Sequence, residues 1–138
     1  MRQTIKETHV SVNEVVNSFF EAAENADVEG LRRLYAPDAT IWHNDGAGDQ
    51  SVDENLESLA VLFGGMLSVK FEVKRRVEVP GGVFQTHTLH GVLPNGERVD
   101  LDAAMFMQVD AGQVSRIEEY FDVSTVTAMF AATAAVAG

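Results

Sequence analysis

Residues 68–121 read SVKFEVKRRVEVPGGVFQTHTLHGVLPNGERVDLDAAMFMQVDAGQVSRIEEYF, and this stretch decides the fold. Val69, Phe71 and Val73 alternate with Lys70, Glu72 and Lys74, the period-two pattern of a strand with one face buried. Three turn signals then divide the run: PGG at 80–82, PNG at 94–96 and DAG at 110–112. Four long strands joined by short turns form a meander. Arg75 interrupts the apolar series Val69, Phe71, Val73, Val77, Val79, which predicts either a bulge that turns it outward or a contact with a partner subunit or ligand.

Upstream the period changes to that of helices. SVNE at 11–14 is a capping box, and Val12, Val15, Val16, Phe19 and Ala23 follow on one face. Asp27 caps a second, shorter helix that buries Leu31, Leu34 and Tyr35 before Pro37 ends it. Ser51 with Glu54 opens a third, carrying Leu56, Leu59, Leu62 and Phe63 to the Gly64-Gly65 stop. Between the second and third, ATIWHN at 39–44 supplies a short extra strand. Helices ahead of a long antiparallel meander predict an α+β class. The expected architecture is a cone-shaped, curved antiparallel sheet wrapped round the N-terminal helices. One domain covers 1–138, with its core at about 12–122 and an Ala-rich C-terminal helix or tail at 123–138.

Composition narrows the function classes. A chain of 138 residues with 46% hydrophobic and 22% charged residues can bury a core. Ten Lys and Arg against 21 Asp and Glu give a net charge of −11, which repels phosphate backbones and anionic lipids. Nucleic acid and membrane are therefore not expected partners. The absence of cysteine removes disulfides, zinc ribbons and thiol nucleophiles together. Residues 1–10 are charged and carry no apolar core of a signal peptide, so a cytoplasmic location is expected.

Alternation places side chains on faces before any pairing is known. Ile117, Glu119 and Phe121 share one face of the last strand, which sets a carboxylate between apolar neighbours, where a general acid or base belongs. A salt bridge at a sheet edge is the structural alternative. Ile41 and His43 share a face opposite Trp42, and Leu101, Ala103, Met105 and Met107 alternate with Asp100 and Asp102, a solvated or interfacial pair. Phe84, Thr86, Thr88 and His90 lie on one face of their strand, His87 and Leu89 on the other. Histidines spread over separate strands without short ligand spacing argue against a metal site. Asp45, Asp49 and Asp53 lack the closing glutamate of a calcium loop, and Asp45-Gly46 reads as a turn at the mouth of the cone.

The segments RLYAPDATIWHND and GQVSRIEEYFD resemble the SnoaL-like branch of the nuclear-transport-factor-2-like superfamily, which includes polyketide cyclases, limonene-1,2-epoxide hydrolase and ketosteroid isomerase. The resemblance spans about 12–122 and implies a conical cavity for a small apolar molecule, no cofactor, and a homodimer through the outer sheet face. It also implies absences. The isomerases' tyrosine falls at Phe19, their catalytic aspartate at His43 and their protonated acid near Ala103 or Ala104. The hydrolases' arginine and aspartate fall at Thr86 and Thr88, their third carboxylate at Glu119 and their water-holding asparagine at His43. The overlay directs His43, Thr86, Thr88, His90 and Glu119 into one cavity. The expectation is acid–base chemistry on an apolar, oxygenated substrate, with His43 as base and Glu119 as its orienter. His90, Thr86 and Thr88 would hold the substrate oxygen, with Phe19, Ile41, Leu101, Ala103, Met105, Ile117 and Phe121 as apolar wall. The rival expectation is a non-catalytic ligand-binding or dimerisation module.

Overall fold

In the computed structural model, which describes residues 10–137, Ser11 opens α1 (Val12–Glu24) through the predicted reciprocal cap with Glu14. The reading of residues 1–10 lies, Val10 apart, outside the described residues. Asp27 accepts the Gly30 amide and caps α2 (Val28–Leu34). The chain then runs into β1 (Tyr35–His43), a two-residue β2 (Asp49–Gln50), α3 (Val52–Gly64) behind the second capping box, β3 (Ser68–Val79), β4 (Gly82–Val92), β5 (Arg98–Asp110), β6 (Gln113–Phe121) and α4 (Val123–Ala137). Among the described residues no helix is long and apolar enough to cross a membrane.

The six strands form one sheet in the order β2-β1-β6-β5-β4-β3. The meander is present and antiparallel throughout, but the sheet as a whole is mixed, because β1 pairs with β6 in parallel. That corrects the wholly antiparallel expectation. β1 and β6 are far apart in sequence, so no hairpin dictates their direction. β1 is also longer than expected. Pro37 does not end a helix but lies in an irregular stretch of β1, where the register slips between Tyr35 and Thr40 and a missing amide is tolerated.

The bulge anticipated at Arg75 is present. Val73 lies opposite His87 and Arg75 opposite Thr86, so one extra residue enters β3. Beyond it the faces exchange: Arg76 turns inward opposite Gln85, while Val77 and Phe84 pair on the outside and are half exposed.

Two apolar clusters fill the concave side. One joins α1 and α2 to Ile41, Met105, Met107, Val114 and Ile117; the other gathers Leu62, Met66, Val69, Leu89, Leu101 and Met129. Each such side chain taken fully out of water contributes about 1.5–3 kcal/mol before entropy is set against it. Phe63 and Phe71 touch both clusters. The Ala-rich segment is helical over Val123–Ala137. Helix α4 buries Met129 and Thr133, and a Cβ on Gly65 at the end of α3 would meet Thr133, so the two helices meet closely there.

Candidate functional site

Between the two clusters the sheet and helices enclose a cavity of about 370 Å³, within the size range of small-molecule sites. Its wall is mainly aromatic and aliphatic, with polar groups arriving from β1, β4, β6 and α3.

Glu119 sits at the centre of the polar side. In the parallel pairing of β1 with β6 it stands beside His43, whose Nε2 is 3.8 Å from Glu119 Oε1. That exceeds hydrogen-bond length, and catalytic contacts often tighten only when ligand is bound. The His43 ring stacks on Phe121 with centroids 5.2 Å apart. The other carboxylate oxygen, Oε2, lies 3.1 Å from His87 Nε2. His87 belongs to β4, with β5 between it and Glu119. Two strand spacings, about 10 Å, separate the backbones. Side chains can meet across that distance because the residue of β5 opposite His87 is Ala103, which takes up little room. The His87 side chain is 1% exposed and that of Glu119 19%, so the imidazole is internal while the carboxylate reaches the cavity. Phe20 and Phe71 present ring edges to His87 at 5.1 and 5.6 Å.

A second polar chain also lines the cavity. The Tyr35 hydroxyl donates to Asn55 Oδ1 at 2.7 Å, Asn55 Nδ2 donates to Gln50 Oε1 at 3.2 Å, and Gln50 reaches Ser58 Oγ at 3.5 Å. Burial, and after it the negative charge of Glu119, push the Tyr35 phenol well above its ordinary pKa. The hydroxyl therefore stays protonated, donating to Asn55 with oxygen lone pairs free to accept.

Of the residues predicted from sequence, His43, Glu119, Phe19, Ile41, Leu101, Ala103, Met105, Ile117 and Phe121 line this cavity. Thr86, Thr88 and His90 do not, and this is a correction. They lie on the outer face of β4, opposite Ala104, Asp102 and Asp100 of β5. Thr88 donates to Asp102 at 2.6 Å, and His90 bridges Asp100 at 2.7 Å and Glu72 at 2.8 Å. The physical reason is register: cross-strand partners share a face, and Leu101 and Ala103 face inward, so their partners Leu89 and His87 do as well. Sequence reasoning missed His87, Tyr35, Asn55 and Gln50 as site residues. Asn55 did carry a signal, standing four and seven residues before Leu59 and Leu62 on the apolar face of its helix.

Residues 16–117 match the model of a family described as the SnoaL-like domain. Among solved structures the chain is similar to IdmH of Streptomyces antibioticus, a protein proposed to be a polyketide cyclase. The two share 19% identity over 88% of this chain and 99% of that one, with a TM-score of 0.75. A nuclear-transport-factor-2-like protein of unknown function from Burkholderia pseudomallei K96243 aligns at 19% identity over 88% and 98% of the two chains, TM-score 0.72. A hypothetical protein with a ketosteroid isomerase-like fold from Catenulispora acidiphila, solved with trimethylamine, aligns at 14% identity over 88% and 95%, TM-score 0.71. At these identities the likeness concerns the fold. Comparison with curated proteins gives no match.

Proposed function

We propose, from the premise that this chain belongs to the SnoaL-like domain family, that its cone holds a small, mainly apolar molecule bearing an oxygen and moves a proton on it without a cofactor. The observation that carries this reading is the carboxylate of Glu119 set between two imidazoles inside an otherwise greasy cavity. Glu119 takes a proton from one position of the substrate, or from the water being added, and returns it to another position, as isomerisation, cyclisation or water addition requires. His43, at the exposed side of the carboxylate, exchanges the proton with it. The Tyr35 hydroxyl, also in the cavity lining, orients the substrate by accepting a hydrogen bond. Thr86, Thr88 and His90 take no part.

The test begins with a thermal-shift panel of steroids, terpenoids and aromatic polyketides, followed by product analysis of every stabilising compound. Glu119→Gln should keep binding while lowering turnover about 10²–10⁴-fold, the usual worth of a positioned acid or base. Turnover that survives both this change and His43→Ala removes the reading. A second reading, a carrier without chemistry, is favoured by Phe19 and Ala103, cavity residues without reactive groups at positions where the resemblance places the isomerases' tyrosine and protonated acid. Stabilisation without product in every case would select it.

We further propose self-association through the outer sheet face, where Val77, Phe84 and Tyr120 are exposed and Phe84 packs on Phe106 at 5.1 Å. Sedimentation should give a dimer for the native chain and a monomer for Phe84→Glu. A native monomer overturns this part.

A further inference from the structure

The bulge in β3 has a chemical consequence, because it is what turns Arg76 rather than Arg75 to the inner face and sets it opposite Gln85. Arg76 Nε lies 2.8 Å from Gln85 Oε1, and its Nη1 lies 2.7 Å from Asn17 Oδ1 and 3.4 Å from Asn13 Oδ1 on α1. Gln85 in turn is buried, with its Nε2 2.8 Å from His87 Nδ1.

These distances leave one consistent direction for the hydrogen bonds. A guanidinium can only donate, so the amide atom facing Arg76 is the oxygen of Gln85. The amide nitrogen, which also only donates, then faces His87 Nδ1, and Nδ1 must accept. A neutral His87 consequently carries its proton on Nε2 and gives it to Glu119 Oε2. Protonating Nδ1 as well would set two donors against each other, or would require Gln85 to flip and face Arg76 with its own N–H.

We propose that Arg76 and Gln85 are positioning residues which fix His87 as the Nε2–H tautomer, so that Glu119 Oε2 is held as the acceptor of His87 and Oε1 is the oxygen that takes up and releases the proton. The inference rests on the reading of Glu119 as the proton-moving group and adds which of its two oxygens acts. Oε1 is the oxygen on the side of His43. The two imidazoles thus have different tasks. His87 holds the carboxylate in place from behind; His43, which has no such clamp among the described residues, stands on the side of Oε1. The other groups that meet His87, the rings of Phe20 from α1 and Phe71 from β3, offer neither donor nor acceptor to its nitrogens.

The test needs no substrate. Long-range proton–nitrogen spectra of histidine-labelled protein report which ring nitrogen carries hydrogen, and His87→Gln identifies the His87 signals by their loss. The native chain should show Nδ1 of His87 bare and Nε2 protonated at neutral pH. Gln85→Glu, nearly the same in shape, presents only acceptors, so His87 should then carry a proton on Nδ1. Arg76→Met, which keeps the aliphatic stem, should allow the Gln85 amide to turn and the tautomer to become mixed. A protonated Nδ1 in the native chain, or a His87 signal unchanged in Gln85→Glu, overturns the assignment. Should the tautomer be as stated while Glu119→Gln turns over at the native rate, the clamp stands and the acid–base reading falls.

Discussion

Replacing Tyr35 by Phe removes one oxygen from the lining of the cavity, and the structure sets the size of the effect. The ring itself stays, with its edge-on contact to Phe19 at 5.5 Å, so packing is nearly unchanged. What is lost is the hydroxyl that supplies Asn55 Oδ1. Tyr35 and Asn55 are only 2% and 3% exposed, so that oxygen is left buried without its donor. An orphaned neutral acceptor costs about 1–3 kcal/mol. For a chain of this length roughly 3–5 °C of melting temperature corresponds to each kcal/mol, between the figures for smaller and larger domains. The fall should therefore be at least about 3 °C. A double-mutant cycle with Asn55→Leu isolates the pair. Removing donor and acceptor together should cost less than the two single changes added, with a coupling of about 1 kcal/mol or more read by urea denaturation. A Tyr35→Phe variant within about 0.5 kcal/mol of native, with coupling inside the usual additivity error of about 0.3–0.5 kcal/mol, would refute the claim that this hydroxyl is tied up in the wall.

Two further outcomes follow from the same geometry. Ala103→Leu puts a branched side chain between His87 and Glu119 and should separate them, lowering ligand-induced stabilisation. If calorimetry gives native affinity for a ligand of the native protein, the cavity is not shaped by Ala103. On the outer face, hydrogen bonds donated to Glu72 first and Asp100 second raise the pKa of His90, so its contribution to stability is complete below the unfolded imidazole value and is lost as pH rises through the folded one. His90→Gln should flatten that part of the melting-temperature profile, and an NMR titration of His90 should lie above the ordinary value of about 6.5.

How far the sequence reveals this site depends on which pairing information is used. The capping boxes, the turn dipeptides and the alternation of β3 are local signals, and each element they predict is present. The parallel pairing of β1 with β6 is non-local, and nothing within ATIWHN specifies a direction. Helix α4 is apolar nearly all round, so its pattern singles out no face, and it takes its place from α3, where Gly65 admits Thr133.

The misplacement of Thr86, Thr88 and His90 has a different cause, because the sequence held enough to avoid it. Alternation divides VFQTHTLHGV into two faces, and both are mixed: one offers Val83, Gln85, His87 and Leu89, the other Phe84, Thr86, Thr88 and His90. Neither is decisively apolar, so an overlay onto related enzymes chose between them. The turn at 93–97 settles the matter physically. With Val92 opposite Arg98, each step back along β4 is matched by one step forward along β5, which sets Leu89 against Leu101 and His87 against Ala103. Partners in an antiparallel ladder point to the same side of the sheet. Assigning Leu101, Ala103 and Met105 to the cavity therefore obliges His87 to join them and sends His90 out to Asp100. By residue type alone, the polar side chains of Gln85 and His87 suit a solvated face. They are instead two links of the buried chain from Arg76 to Glu119, a case where polar residues on an inner face are the mark of the site rather than of solvent.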